Sequence, residues 1–239
     1  MLDKNKSIVL FSGGQDSSAC LVWALNNYKE VQTIGFDYGQ RHNVELKCRK
    51  ALLKKLKSMP SDFTGTLTRD YILNLEEIKS ITTSSLLTSQ DIEILDNGIP
   101  NTFVPGRNLI FLNYAGIIAY QNNIQNIIGG MCETDFSGYP DCRSETITSM
   151  EKSLSLGMDE NFKIETPLMF KSKADVWEMI KQAGGNELID IILEESHTCY
   201  NGNRSNRFSW GYGCNSCPAC ELRLKGWNTF VENNPEFKI

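Results

Sequence analysis

Short apolar runs alternate with amphipathic stretches over the first sixty residues of the chain. Residues 7–11 and 31–37 are apolar with polar flanks, and each predicts a buried strand of a parallel sheet. Between them, Gly13-Gly14 ends the first strand, and the side-chain oxygens of residues 16–18 are placed to cap a helix that continues to Leu25. This order of strand, helix and strand predicts a right-handed parallel α/β unit.

The rest of the chain continues the pattern less regularly. A helix is predicted over 43–58, because four apolar residues share one of its faces: Val44, Cys48, Leu52 and Leu56. Further strands are predicted over 71–75 and 124–131, and further helices over 107–120, 144–156, 173–183 and 218–233. The helix over 107–120 is apolar nearly all round, which indicates burial in the core or in a subunit interface. The Ser/Thr-rich stretch 82–89 is either a loop or a helix with its own caps.

These elements predict an α/β fold with an open, mostly parallel, Rossmann-like sheet. Ser172 and Asp175 predict a capping box at the start of the helix over 173–183, and Gly184-Gly185 predicts its end. The length of 239 residues fits one large domain, or one domain with an appendage. The composition changes near residue 195, so we expect an α/β core over 1–194 and a cysteine-rich tail over 195–239 packed on it.

The overall composition argues against several classes of protein. A net charge of -5 disfavours a protein that mainly coats nucleic acid. No stretch approaches the roughly 18–20 apolar residues of a membrane span, and the N-terminus lacks a signal-peptide layout, so we expect a cytoplasmic protein. With only two histidines, His42 and His197, a Ser-His-Asp hydrolase or a multi-histidine metal centre is hard to build.

The motif Ser12-Gly13-Gly14-Gln15-Asp16-Ser17 lies between the first predicted strand and the first predicted helix. Its glycines let backbone amides approach an anion, and the helix N-terminus adds partial positive charge. The lysine of a Walker A loop and the G-x-G-x-x-G pattern of a dinucleotide fold are both absent. The alternative is a simple glycine turn before a capped helix, and the complete motif in its strand–loop–helix context argues against it.

Half of the eight cysteines fall in the last 41 residues of the chain. Cys199 precedes Cys214, Cys217 and Cys220, which form two overlapping C-x-x-C steps. Four thiolates complete a tetrahedral shell for zinc and leave no position for a catalytic water. A redox C-x-x-C would not explain the other two cysteines. His197 is an alternative ligand, although the four sulfurs already complete the shell.

Three further polar segments each follow a predicted strand or precede the apolar helix: residues 37–42, 104–108 and 133–143. Each alone is an ordinary polar turn. Because the loops after successive parallel strands meet at one crevice, we expect these segments to form one pocket with the glycine-rich loop.

Taken in order, these motifs resemble the 7-cyano-7-deazaguanine synthase family of the ATP-pyrophosphatase superfamily. The resemblance rests on S-G-G-x-D-S, F-D-Y-G-Q-R-H, V-P-G-R-N, S-G-Y-P-D-C-R and the cysteine tail. It implies an adenine nucleotide α-hydrolase-like fold, one structural zinc per chain, magnesium with ATP, and a homodimer. The Cys199–Cys214 gap is longer than is common in the family, with Asn203 to Trp210 inserted, and residues 60–100 match no motif.

The resemblance also implies a reaction: ATP adenylates 7-carboxy-7-deazaguanine, ammonia forms the amide, and a second adenylation lets the amide dehydrate to the nitrile. ATP binding is assigned to Leu10, Phe11, Ser12, Gly13, Gly14, Gln15, Asp16, Ser17, Ser18, Ala19 and Cys20. Substrate binding is assigned to Tyr38, Gln40, Arg41, His42, Glu133, Asp135 and Asp141. The three carboxylates of that set are candidates to accept the two N–H donors of a guanine-like edge.

The catalytic candidates are Asp16, Arg107 and Arg143. Either arginine would neutralise phosphate or the substrate carboxylate. Asp16 would cap the helix or approach magnesium, and the sequence leaves both roles open. The runner-up function is another ligase of the superfamily, of the tRNA lysidine or thiolation type, and a non-catalytic zinc-ribbon interaction module is the third. We expect no direct contact with nucleic acid or membrane.

Overall fold

A five-stranded parallel sheet forms the centre of the molecule. The computed structural model describes residues 5–40, 44–59, 63–87, 93, 96, 99–134 and 138–237. The strands are β1 (Lys6–Leu10), β2 (Glu30–Asp37), β3 (Thr66–Asn74), β4 (Asn126–Ile128) and β5 (Lys163–Glu165). Their order is β3-β2-β1-β4-β5, and every neighbouring pair is parallel. The predicted fold class is confirmed, with the strand order reversing between β1 and β4.

Six helices cover the two faces of this sheet in the described part of the chain. They are α1 (Gln15–Asn27), α2 (Val44–Ser58), α3 (Arg107–Gln121), α4 (Ser144–Met158), α5 (Lys173–Glu195) and α6 (Pro218–Asn233). Apolar side chains of α1, α2, α5 and α6 pack in one core cluster, and those of α3 and α4 pack in another. Side chains alternate between the two faces of the sheet along β1, so Val9 packs in the first cluster and Ile8 in the second.

Strand boundaries are where the sequence prediction differs most from the structure. β3 begins at Thr66, well before the predicted residue 71, and β4 covers only three residues of the predicted 124–131. β5 was not predicted, because Lys163–Glu165 contains a single apolar residue and owes its extended form to pairing with β4. Residues 81–87 contain no helix, so the loop alternative holds for the described part of 82–89.

The helix termini follow the predicted caps in one case and depart from them in another. The capping box of Ser172 and Asp175 is confirmed, with the Asp175 N–H donating to Ser172 Oγ at 3.2 Å. The break at Gly184-Gly185 is also confirmed, since Gly185 has φ +65°, but the chain then resumes a helix to Glu195. The side-chain cap expected for α1 is wrong: Gly14 occupies the N-cap position and no side chain caps it.

The helix α3 is buried on one face only. Small and branched residues pack against the sheet: Leu112, Ala115, Gly116 and Ala119. Tyr114, Ile117 and Tyr120 are exposed on the opposite side. The all-round apolar pattern is therefore split between the core and the surface of this chain.

The tail packs directly against the α/β core. The Trp177 ring of α5 and the Trp227 ring of α6 meet edge to face, with centroids 5.0 Å apart. Within the tail, β6 (Arg207–Phe208) and β7 (Gly211–Tyr212) form an antiparallel hairpin at the end of the segment predicted to be inserted, and the Tyr212 hydroxyl donates to Glu194 of α5 at 2.6 Å. Three 3₁₀ turns complete the described structure: Glu76–Ser80, Pro140–Cys142 and Pro235–Phe237. The division at residue 194 stays a prediction. Among the described helices, none is both long and apolar enough to span a bilayer.

Candidate functional site

A cavity of about 320 Å³ opens at the carboxyl ends of β1 and β4. This is the position where the strand order reverses, and open α/β sheets bind ligands there. The cavity is lined by the loops that follow β1, β2 and β4, by the first turns of α2 and α3, and by residues 197–200 of the tail. The predicted convergence of these loops is therefore present in the structure.

The glycine-rich loop closes on the Ser17 hydroxyl. The backbone N–H groups of Ser12 and Gly13 both donate to Ser17 Oγ at 3.2 Å, and Gly14 N–H donates to Ser12 Oγ at 3.3 Å. The hydroxyls of Ser17 and Ser18 both donate to the Gly14 carbonyl. These amides converge at the start of α1, and in this structure hydroxyls of the loop itself accept their hydrogen bonds. An anion bound here would take the place of these internal acceptors at the helix N-terminus.

A buried arginine holds this loop from behind. Gly13 has φ +97°, and a Cβ there would lie 2.8 Å from the backbone nitrogen of Arg49. Arg49 is fully buried; its Nε donates to the Phe11 carbonyl at 2.8 Å, and its Nη1 donates to Asp70 at 2.8 Å. Since Arg49 joins α2, β1 and β3, the backbone of the loop is set by the packing of three elements.

Asp16 forms an ion pair with a residue that is distant in the sequence. Its Oδ2 lies 2.6 Å from Nζ of Lys173, at the start of α5. Its Oδ1 is buried and has no hydrogen-bond partner among the described residues. Asp16 therefore does not cap α1, and one of its oxygens faces neither water nor a described donor.

The predicted ATP-binding stretch divides into cavity-lining and supporting residues. Seven of its members line the cavity: Leu10, Phe11, Ser12, Gly14, Gln15, Asp16 and Ser17. Ala19 and Cys20 are fully buried behind the loop, where the Cys20 thiol donates to the Gly129 carbonyl at 3.7 Å and burial raises its pKa. Gln15 is 1% exposed, yet both polar atoms of its side chain lack a described partner.

Aromatic residues and Arg107 form the side of the cavity near α3. The rings of Phe36 and Phe111 stack with centroids 4.0 Å apart, and Tyr38 lies 5.5 Å from Phe111. Arg107 Nη1 donates to the Tyr38 hydroxyl at 3.4 Å, and the nearby tyrosines and Asp141 raise the pKa of Arg107 against the effect of its burial. Gln40 also lines the cavity.

Three predicted residues lie at helix starts, outside the lining of this cavity. Asp141 Oδ2 accepts the Asn108 N–H at 3.0 Å and so stabilises the first turn of α3. Glu133 Oε2 accepts the Ser144 N–H at 3.0 Å at the start of α4, and Arg143 is exposed beside it. Their substrate roles stay predictions. The remaining predicted residues lie outside the described residues: Arg41, His42 and Asp135.

The four tail cysteines converge as predicted. The sulfurs of Cys199, Cys214, Cys217 and Cys220 all lie within 4.8 Å of one another, and none of the chain's eight cysteines forms a disulfide. A tetrahedral zinc with bonds of about 2.3 Å requires sulfurs about 3.8 Å apart. The Cys214–Cys220 separation of 3.9 Å fits that requirement. His197 is not part of this cluster.

The same tail forms one wall of the cavity. His197 donates its backbone N–H to the Gly13 carbonyl at 3.1 Å, so the tail is hydrogen-bonded to the glycine-rich loop. Thr198 accepts from the buried Arg223 of α6 at 3.0 Å. Burial lowers the pKa of His197 to about 4, and neither ring nitrogen has a described partner.

Comparison with known proteins agrees with this geometry. The family described as "Queuosine biosynthesis protein QueC" matches residues 6–231. The chain belongs to the QueC family. A 7-cyano-7-deazaguanine synthase of Caulobacter vibrioides is 50% identical over 225 residues, covering 94% of this chain and 93% of the relative. One from Nitrobacter hamburgensis is 51% identical and covers 94% of each chain. The predictions of this family and of an enzyme are confirmed.

A solved structure supports the fold of this QueC-family chain. The crystal structure of a 4-thiouridine synthetase–RNA complex with bound ATP aligns with a TM-score of 0.51 and 17% identity. The alignment covers 95% of this chain but only 53% of that one. At this identity the likeness concerns the fold alone.

Sequence reasoning missed three parts of the site in this QueC-family chain. Lys173 was noted only within the capping-box helix, and of residues 197–200 only His197 and Cys199 were noted, as candidate metal ligands. Glu45, in the first turn of α2, lines the cavity and was not singled out. Its position three residues after the F-D-Y-G-Q-R-H segment was the available signal.

Proposed function

We propose that this chain converts 7-carboxy-7-deazaguanine, ammonia and ATP to 7-cyano-7-deazaguanine, AMP and pyrophosphate. The observation that carries the proposal is the anion-binding loop Ser12–Ser17 at the crevice of a chain half identical to named synthases. The proposal names intermediates, cofactors and residues that the family name alone does not supply.

In this proposal the phosphates of ATP bind at the glycine-rich loop and the start of α1. Lys173, held beside the loop by Asp16, supplies a positive charge that the motif lacks in comparison with a Walker A loop. The orphaned Oδ1 of Asp16 fits a ligand for magnesium that arrives with ATP. Magnesium would neutralise phosphate charge.

The first half-reaction makes the acid reactive. The substrate carboxylate attacks the α-phosphorus, a C–O–P bond forms, and pyrophosphate leaves. Ammonia then forms a C–N bond at the carboxyl carbon, and the electron pair of the broken C–O bond leaves with AMP. The nitrogen loses one proton to the solvent, which leaves the amide. Arg107, in the cavity wall, would neutralise charge on the carboxylate or phosphate.

The second half-reaction removes the remaining oxygen. The amide oxygen attacks the α-phosphorus of a second ATP and pyrophosphate leaves again. Loss of two N–H protons and of AMP then forms the nitrile triple bond. Two ATP therefore become two AMP and two pyrophosphates for each carboxylate consumed. The protein's task is to hold the reactants in line and to stabilise charge.

Zinc takes no part in these steps in our proposal. Four thiolates saturate the metal, so its role is to tie α6 and residues 197–200 against the cavity. We further propose that the protein is cytoplasmic, forms a homodimer and acts on the free base without contacting nucleic acid. The tRNA-directed alternative predicts RNA binding, which a filter-binding assay with bulk tRNA detects.

The deciding experiment is ATP–pyrophosphate exchange with 7-carboxy-7-deazaguanine, followed by nucleotide chromatography after ammonium is added. We expect exchange that depends on the deazaguanine acid, and AMP and pyrophosphate in equal amounts. ADP and inorganic phosphate as the main products would contradict cleavage between the α and β phosphates. Exchange that depends on tRNA would favour the runner-up function.

A further inference from the structure

Only two carboxylates line the cavity among the described residues, Asp16 and Glu45. Asp16 is already paired with Lys173 at 2.6 Å. Glu45 lines the cavity, and no described residue donates a hydrogen bond to its carboxylate or forms an ion pair with it. Partial desolvation of a carboxylate costs free energy when no hydrogen-bond donor is near it. A bound ligand that supplies N–H donors offsets this cost.

The surroundings of Glu45 suit a flat, polar-edged ligand. Tyr38 and Arg107 line the same cavity, and Arg107 Nη1 donates to the Tyr38 hydroxyl at 3.4 Å. Arg107 acts electrostatically on Glu45, and Glu45 on Tyr38. Phe111 stands beside Tyr38, with ring centroids 5.5 Å apart, and also lines the cavity. Aromatic faces bind planar heterocycles by stacking, while a carboxylate at the edge binds adjacent N–H groups.

Two of the three sequence candidates for this acceptor role are otherwise engaged, and the third, Asp135, lies outside the described residues. Asp141 and Glu133 each accept a backbone N–H at a helix start and do not line the cavity. A guanine-like ring presents a ring N–H and an exocyclic amino group side by side. Two parallel donors match the two oxygens of one carboxylate.

We propose that Glu45 binds the ring N–H and the 2-amino group of the deazaguanine, and thereby selects it over rings without that amino group. The inference rests on the proposed function, since it concerns the substrate of that same site. Arg107 lies near Glu45 but forms no ion pair with it. In this arrangement Arg107 binds the acidic substituent at the other end of the ring. The two ends of the substrate are therefore bound by protein groups of opposite charge.

The test compares two substrates, 7-carboxy-7-deazaguanine and the analogue that lacks the 2-amino group. For the unchanged chain, kcat/KM in the exchange assay should fall about 100-fold for the analogue, as expected when a charged acceptor loses a buried donor. In Glu45→Gln the acceptor pair becomes one acceptor and one donor. Its preference should therefore shrink to less than about 5-fold. A merely structural role would slow both substrates equally.

Glu145→Gln is the matched control, because Glu145 is an exposed glutamate in the first turn of α4. It should keep the preference of the unchanged chain. An unchanged chain that accepts both rings equally overturns the inference even if Glu45→Gln does not fold. A folded Glu45→Gln protein that retains the 100-fold preference also overturns it, as does one whose only change is a higher KM for ammonium. No exchange with either ring would instead overturn the proposed function.

Discussion

At the scale of single residues, Asp16 pairs with Lys173 and does not cap α1. One oxygen holds Lys173 and the other is buried without a described partner. We expect Asp16→Ala to lower AMP formation at least 100-fold, because Lys173 loses the carboxylate that holds it beside the loop and the proposed magnesium loses a ligand. The melting temperature should fall by only a few degrees, since a partly exposed pair contributes about 1 kcal/mol or less. Chromatography and thermal melts measure the two effects, and near-normal turnover in the folded variant would contradict the ATP assignment.

The pH dependence of substrate capture should follow Glu45. Burial raises its pKa to about 7, with Arg107 opposing that shift. Tyr38 and Cys48 are the other titratable groups facing it, and burial raises the pKa of both. Below pH 7 the carboxyl is protonated and loses acceptor capacity, so kcat/KM for the deazaguanine acid should rise with pH through about 7. Initial rates between pH 5.5 and 8.5 test this. If Glu45→Gln shows the same rise of kcat/KM with pH, the titrating group is not Glu45.

At the scale of elements, the tail carries the four-sulfur cluster and also forms a wall of the cavity. The backbone hydrogen bond from His197 to Gly13 lies two residues before Cys199 of that cluster. We therefore expect Cys217→Ser to lower zinc content, thermal stability and pyrophosphate exchange together. Cys48→Ser is the control, because Cys48 is buried in α2 outside the sulfur cluster. Metal analysis of both variants decides the matter. Zinc that is retained at one per chain in Cys217→Ser would contradict the four-sulfur site.

The long segment between Cys199 and Cys214 packs on α5. Its hairpin stacks Phe208 on Trp210 with centroids 5.0 Å apart, and Arg204 lies over the Tyr212 ring at 4.4 Å. The Tyr212 hydroxyl donates to Glu194 of α5, and this hydrogen bond lowers the pKa of that carboxyl. The length of the segment is therefore compatible with the four sulfurs lying within 4.8 Å of one another.

At the scale of the whole molecule, the predicted homodimer depends on what covers α3. Ile117 is 49% exposed and Tyr120 48% exposed on its outer face. If this face joins two copies, Ile117→Glu should shift sedimentation from dimer to monomer, because a buried charge without a partner is costly. Leu156→Glu is the matched control, since Leu156 is also an exposed apolar residue, on α4. A monomeric unchanged chain at micromolar concentration would show the dimer prediction to be wrong.

The local sequence determined the α/β class, the glycine-rich loop and which four cysteines form the sulfur cluster. Each of these depends on residues close together in the chain: an apolar run ending in Gly13-Gly14, and the Cys-x-x-Cys steps that begin at Cys214. The capping box at Ser172 and the break at Gly185 were predictable for the same reason. Local backbone preferences and ligand spacing are properties of neighbouring residues.

Only the tertiary structure decided which polar residues face the cavity. It paired Asp16 with Lys173, which lies 157 residues away, and it brought the tail against Gly13. It also placed Asp141 and Glu133 at helix starts while leaving Glu45 in the cavity wall. A carboxylate looks the same in a sequence whether it caps a helix or faces a ligand. Its role is set by which donors the folded chain brings within hydrogen-bonding distance.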